Sequence, residues 1–228
     1  MHFQTCSGLE ILRTHEISQE ETWARPIIQE AIQSEYTEGR VGIEFVGWKG
    51  CEVVNGKIQS DVVINYVADE SPEKTESIIT GSSEIGKCKD NAPQDYLPKV
   101  RFTIRVKAPW IHAIAPKEEL TRVALHEFGH LSGLKHEDSQ SLSNETSESF
   151  NPKTSQIVSL YDPESIMGYH YGHDVLRKHG IPENSRGIVL SDGDLHALRC
   201  LYQYSVEEKE KICNPSHIPG LEKVLGVP

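Results

Sequence analysis

The sequence has no apolar run approaching the roughly 18 consecutive residues that a membrane-spanning helix needs. Its first residues, MHFQTCSGLEILRT, also lack the apolar centre of a secretion signal. A chain that stays out of the bilayer is expected. Its start fits either a mature secreted domain given an initiating Met or a chain that never carried a leader. Basic residues are in short supply: 23 Lys and Arg stand against 34 Asp and Glu, a net charge of −11. Such a surface repels phosphate backbones and anionic lipid, so neither nucleic acid nor membrane is an expected partner. The five cysteines, Cys6, Cys51, Cys88, Cys200 and Cys213, show no CxxC spacing, which argues against a cysteine zinc site. Internal repeats and low-complexity linkers are missing too.

What remains is an ordinary globular composition, 37% hydrophobic and 25% charged over 228 residues, enough for a real core. A single domain over 1–228 is expected, with an N-terminal lobe over about 1–133 and a C-terminal lobe over about 134–228. Residues 20–36 place Trp23, Ile27, Ile28, Ala31 and Ile32 at helical spacing, with Pro26 in an early turn. The runs 41–48 and 61–69 are β-branched and aromatic, separated by an Asn55-Gly56-Lys57 turn, and both read as strands. Residues 82–87 fit a short edge strand, and 99–106 alternate Val100, Phe102, Ile104 and Val106 on one face. An α+β fold follows, with a twisted sheet of about five strands covered by helices.

From Pro116 the pattern becomes helical, with Leu120, Val123, Ala124, Leu125, Phe128 and Leu131 forming its apolar side and Gly133 its end. Residues 137–156 are polar and read as a surface loop; 191–204 read as a C-terminal helix capped by Ser191, with Asp194 three residues on. The remainder, punctuated by Pro215, Pro219 and Pro228, reads as a loosely packed tail.

The chemistry lies in HEFGHLSGLKH at 126–136. Residues four apart share a helix face, so His126 and His130 can chelate one cation from the same side. Gly133 can take the left-handed conformation that stops the helix and turns the chain, bringing in His136. Three neutral imidazoles leave a tetrahedral zinc with one open position, the catalytic rather than the structural arrangement. Glu127 then has a duty: zinc lowers the pKa of its bound water, and the carboxylate takes the proton as the water attacks a carbonyl, later protonating the leaving amine.

This HExxHxxGxxH pattern resembles that of the metzincin clan of zinc peptidases, which adds a methionine-containing turn downstream, and SIMGY occurs here at 165–169. The resemblance covers about 117–204 by motif. It implies a zincin-type catalytic domain: a mostly parallel sheet, an active-site helix and a C-terminal helix. Met167 would form a hydrophobic base beneath one catalytic zinc, and Tyr169 would ligate zinc or stabilise the oxyanion, as in astacins. Glu137, directly after His136, is a further astacin-like feature, whereas Leu134 and Gly168 depart from the astacin pattern and 190–202 is as close to matrixins. An extended peptide would pair antiparallel with the strand near 82–87, and specificity would arise around His170 and Tyr171.

The expected function is thus a monomeric zinc endopeptidase acting on proteins or peptides, secreted or periplasmic, or else a leaderless exported effector. A zinc-binding interaction module and a zinc hydrolase of small amides are the alternatives. In an oxidising compartment the expected disulfides are Cys51–Cys88 and Cys200–Cys213. Cys6 lies outside any matrixin-like latency motif, and His170, His173 and His179 read as solvated rather than as a second metal site. Asn144-Glu145-Thr146 is a glycosylation sequon.

Overall fold

The computed structural model describes residues 2–7, 19–50, 53–54, 57–58, 61–68, 78–84, 99–105, 114–137, 158, 162, 164–168 and 188–214. The elements are, in order, β1 (His2–Ser7), α1 (Gln19–Glu35), α2 (Glu38–Val41), β2 (Glu44–Gly50), β3 (Val53–Val54), β4 (Lys57–Ile58), β5 (Val62–Ala68), β6 (Ile78–Glu84), β7 (Lys99–Arg105), α3 (Ile114–Leu131), α4 (Asp192–Tyr202) and α5 (Val206–Ile212). The fold is α+β. Its main sheet has five strands in the order β2-β1-β5-β7-β6. The first three pairings are parallel, and β6 alone runs antiparallel, against β7 at one edge.

Helix α1 forms where its apolar stripe predicts, and Ala24, Ile27, Ile28, Ala31 and Ile32 are buried. Pro26 sits beyond the first turn, inside the helix. Burial of each large aliphatic side chain contributes roughly 1.5–3 kcal/mol, which offsets the backbone hydrogen bond that Pro26 cannot make. Helix α1 and helix α3 lie side by side against the sheet. Between them Tyr36, Phe45, Trp48 and Phe128 form an aromatic centre, with Phe45 and Phe128 edge to face at 4.8 Å and Trp48 stacked on Phe128 at 5.9 Å. The Tyr36 hydroxyl donates to the Leu125 carbonyl at 3.1 Å, so its polar end is satisfied inside the core.

Several elements differ from the sequence reading. Strand β1 lies in the sheet interior between β2 and β5, although HFQTCS has little apolar alternation; its place is set by pairing with strands distant in sequence. Strand β2 starts later than expected, because Val41 closes α2 and Gly42 turns the chain at φ 79°. A bulge in β2 opposite Thr5 uses Gly47 at φ 104° and Trp48 at φ 38°, and Trp48 is buried against Phe128. Strands β3 and β4 form a separate two-stranded antiparallel sheet in which Val53 pairs with Ile58 and Val54 with Lys57, and Asn55 and Gly56 lie outside the described residues. The edge strand spans 78–84 rather than 82–87. Part of the expected tail is helix α5, whose capping box pairs Ser205 with Glu208.

Cys200 and Cys213 are joined in a disulfide that ties α4 to the end of α5. Cys51 and Cys88 lie outside the described residues, as do the 138–156 part of the expected loop, the sequon at 144–146 and His170, Tyr171, His173 and His179. No described helix is long and apolar enough to cross a membrane. The hydrophobic core includes residues on both sides of Gly133, among them Leu125 and Phe128 before it and Leu134, Met167 and Leu198 after it.

Candidate metal centre

Helix α3 carries His126 and His130 one turn apart, and a Schellman turn follows. The Gly133 N–H donates to the His130 carbonyl and the Leu134 N–H to the Gly129 carbonyl, both at 2.9 Å, with Gly133 at φ 94°. This reverses the chain and brings His136 back to the helix. The same turn orients His130, whose Nδ1 donates to the Leu134 carbonyl at 3.0 Å. Nδ1 of His126 donates to the Ile166 carbonyl at 2.8 Å. Each bond leaves the Nε2 lone pair facing inward, the arrangement by which a carbonyl fixes tautomer and ring direction in a metal-binding histidine.

Nε2 of His136 lies 3.2 Å from Nε2 of His126 and 2.9 Å from Nε2 of His130. A tetrahedral zinc with bonds of about 2.0–2.1 Å separates its nitrogens by roughly 3.3–3.4 Å, so the donor set fits such an ion with small adjustment. Three inward-facing nitrogens, two of them fixed as acceptors, form a donor set of the kind that suits a cation. Burial, together with the neighbouring His130, His136 and Arg122, lowers the His126 pKa to about 4 despite the bond to Ile166. The ring is therefore neutral at physiological pH, as a ligand must be. The three histidines form a group able to hold a metal ion.

Glu127 is 6% exposed, beneath β6, and its burial pushes the pKa up to about 7, against the lowering effect of a hydrogen bond from Ser83. Met167 is buried at 1% exposure, and its sulfur lies against Gly129, where a Cβ would collide with it. The glycine between the two helical histidines thus admits the methionine to the floor of the site. The Met167 carbonyl accepts from the Glu137 N–H at 3.1 Å, and the Glu137 carboxylate accepts from the Asp162 N–H at 2.7 Å. Glu137 therefore joins the segment after His136 to the segment around Met167. Tyr169 lies outside the described residues.

In the sequence Asp194 marks only a capping position, three residues after Ser191, yet in the fold its carboxylate does more. Besides the Ser191 N–H at 3.0 Å, it accepts from the Ser165 hydroxyl at 2.7 Å and the Ile166 N–H at 2.9 Å. Ser165 in turn accepts from the Met167 N–H at 3.0 Å. One buried carboxylate at the start of α4 thus holds the 165–167 turn whose Ile166 carbonyl orients His126. Burial raises its pKa, while the bonds from Ser165, Ile166 and Ser191 pull the other way. The remaining signal in the sequence, Ser165 before Ile166 and Met167, points to no partner without the fold. Tyr202 closes the far side, donating to the Ser132 carbonyl at the end of α3 at 2.9 Å.

Gly133→Ala tests the turn. A Cβ there would meet only Leu201 Cδ1 at 3.4 Å, so the cost is backbone strain rather than a clash. About 1–2 kcal/mol is expected, read as a Tm loss of roughly 2–8 °C, together with weaker metal binding through His136. An unchanged Tm and metal affinity would show that the left-handed turn is not required.

No protein-family model matches the chain, and no curated protein shows significant similarity to it.

Proposed function

We propose that the chain is a zinc-dependent endopeptidase of the metzincin type. The observation that carries this reading is the convergence of three imidazole nitrogens, two with tautomers fixed by backbone carbonyls, on a helix that also carries the buried Glu127. His126, His130 and His136 would hold the ion. A zinc ion bound there acidifies a coordinated water and polarises the scissile carbonyl. Glu127 takes the proton from the attacking water and returns it to the leaving amine; a carboxyl with a pKa near neutrality suits both halves of that transfer. Tyr169 is assigned, by resemblance, to donate to the developing oxyanion. Met167 forms the apolar floor against Gly129.

A buried ligand set alone would suit a structural zinc as well. Two further features favour catalysis on an extended chain. Glu127 has no role in a closed structural site, and β6 is the outermost strand of the sheet directly above it. A peptide adding to that edge would gain main-chain hydrogen bonds with few sequence demands. The Cys200–Cys213 disulfide accords with an oxidising, secreted or periplasmic setting. A monomer acting on protein or peptide substrates completes the reading.

The test is metal analysis paired with digestion of a peptide library. About one zinc per chain is expected. Cleavage should be lost with 1,10-phenanthroline and restored by stoichiometric zinc. Cleavage that survives complete removal of the metal, or a zinc-loaded protein that cuts no peptide, would overturn the assignment.

A further inference from the structure

Strand β6 presents alternate residues to helix α3. Ile79 is buried in the core, Gly81 stands over Glu127, Ser83 hydrogen-bonds the Glu127 carboxylate, and the intervening Ser82 is exposed. The spacing of two is that of one strand face. At Gly81 a Cβ would lie 2.7 Å from Glu127 Oε1 and 2.8 Å from Cδ, closer than real side chains approach. The strand and the carboxylate therefore share space that only glycine leaves open.

From these two contacts we infer that β6 positions the general base: Ser83 is a positioning residue for Glu127, and Gly81 supplies the clearance. The inference rests on the endopeptidase reading for its catalytic consequence, although the contacts themselves do not. A glutamate carboxylate, three rotatable bonds from its Cα, can turn away from a reacting water. A hydroxyl donating to one oxygen removes that freedom and leaves the other oxygen to accept a proton. Because β6 is also the edge on which an extended substrate would pair, the same strand would register the scissile bond and aim the group that activates water against it. Base and substrate would then share one frame of reference.

Two measurements on the full chain test this. The first needs neither metal nor activity: thermal denaturation of the apoprotein in double-mutant cycles. Ser83→Ala and Gly81→Ala should each lower Tm, and both losses should shrink in a Glu127→Ala background, which removes the atoms that Ser83 bonds and that Gly81 accommodates. Additive losses in both cycles would overturn the contact. The second is kinetic. Ser83→Ala in the zinc-loaded enzyme should lower kcat about 10–100-fold with little change in KM, the scale of a lost hydrogen bond to a charged group. Ser83→Thr, which keeps the hydroxyl, should recover most of it. Ser83→Ala should cost nothing more when Glu127 is already glutamine. Full kcat in Ser83→Ala, or an equal loss in the Glu127→Gln background, would overturn the positioning role. A native chain that binds zinc but cuts no peptide would instead defeat the endopeptidase reading, and the stability cycles would still decide whether β6 fixes Glu127.

Discussion

Replacing Glu127 with glutamine is expected to lower kcat for peptide hydrolysis by about 10²–10⁴-fold, the range for removal of a general acid–base, while zinc content stays unchanged. Glutamine keeps the shape of the side chain beneath Gly81 and can still accept from Ser83 through its amide oxygen. It cannot take a proton from water or deliver one to an amine. Because the three nitrogens able to hold a metal belong to His126, His130 and His136, the substitution leaves the donor set whole. The fold should be unaffected: the pKa of Glu127 is raised chiefly by burial, so a neutral isostere meets no new desolvation cost. KM should change little, since in the proposed mechanism the carboxylate acts in the transition state rather than in ground-state binding. The combination to look for is loss of kcat with retained zinc and retained Tm. A variant that cleaves as fast as the native protein would remove Glu127 from the mechanism, and one that loses zinc would show that the carboxylate serves the metal instead.

The parts of this site that could be read from sequence are those whose geometry is local. His126 and His130 follow from helical spacing, and Gly133 marks the turn because an L-residue resists a φ of 94°. The stripe of α1 and the alternation of β7 are likewise visible in consecutive residues, and both elements form within one or two residues of their expected bounds. The parts that could not be read depend on pairing across long separations. Strand β1 has no strong pattern of its own and becomes a strand by lying between β2 and β5. Asp194 looks like an ordinary capping residue until the fold places Ser165 and Ile166 beside it, 29 and 28 residues away in sequence. Gly81 and Gly129 look like two glycines among many until Glu127 and Met167 arrive against them. Helix α5 is a different case. Its Ser205-x-x-Glu208 box is a local signal, but the segment buries no side chain, so no apolar periodicity marks a helix past Tyr204.

The long-range Asp194 bonds yield the largest expected effect on stability. Asp194→Ala would leave the Ser165 hydroxyl and the Ile166 and Ser191 N–H groups without their shared acceptor, at a position 4% exposed. A buried donor left unsatisfied costs about 1–3 kcal/mol; two such donors and the half-buried Ser191 N–H bring the expected loss to about 3–5 kcal/mol, since partial relaxation recovers some of the sum. For a chain of this size that is a Tm decrease of roughly 6–20 °C. Asp194→Asn should fall between, because the amide keeps one acceptor oxygen but turns a donor toward N–H groups. A purely structural anchor would stop there. If the 165–167 turn also orients His126, the folded Asp194→Asn variant should bind zinc about 10–100-fold more weakly than the native chain, the usual penalty for disturbing the outer partner of a metal-binding histidine. Competition with a chelator of known affinity, at a temperature where both proteins are fully folded, separates the two effects. Weaker zinc binding with the fold intact would place the α4 carboxylate in the support of the metal centre. Equal zinc affinity would mean that the Ile166 carbonyl keeps its direction without Asp194, and that the carboxylate serves only to fasten α4 to the core.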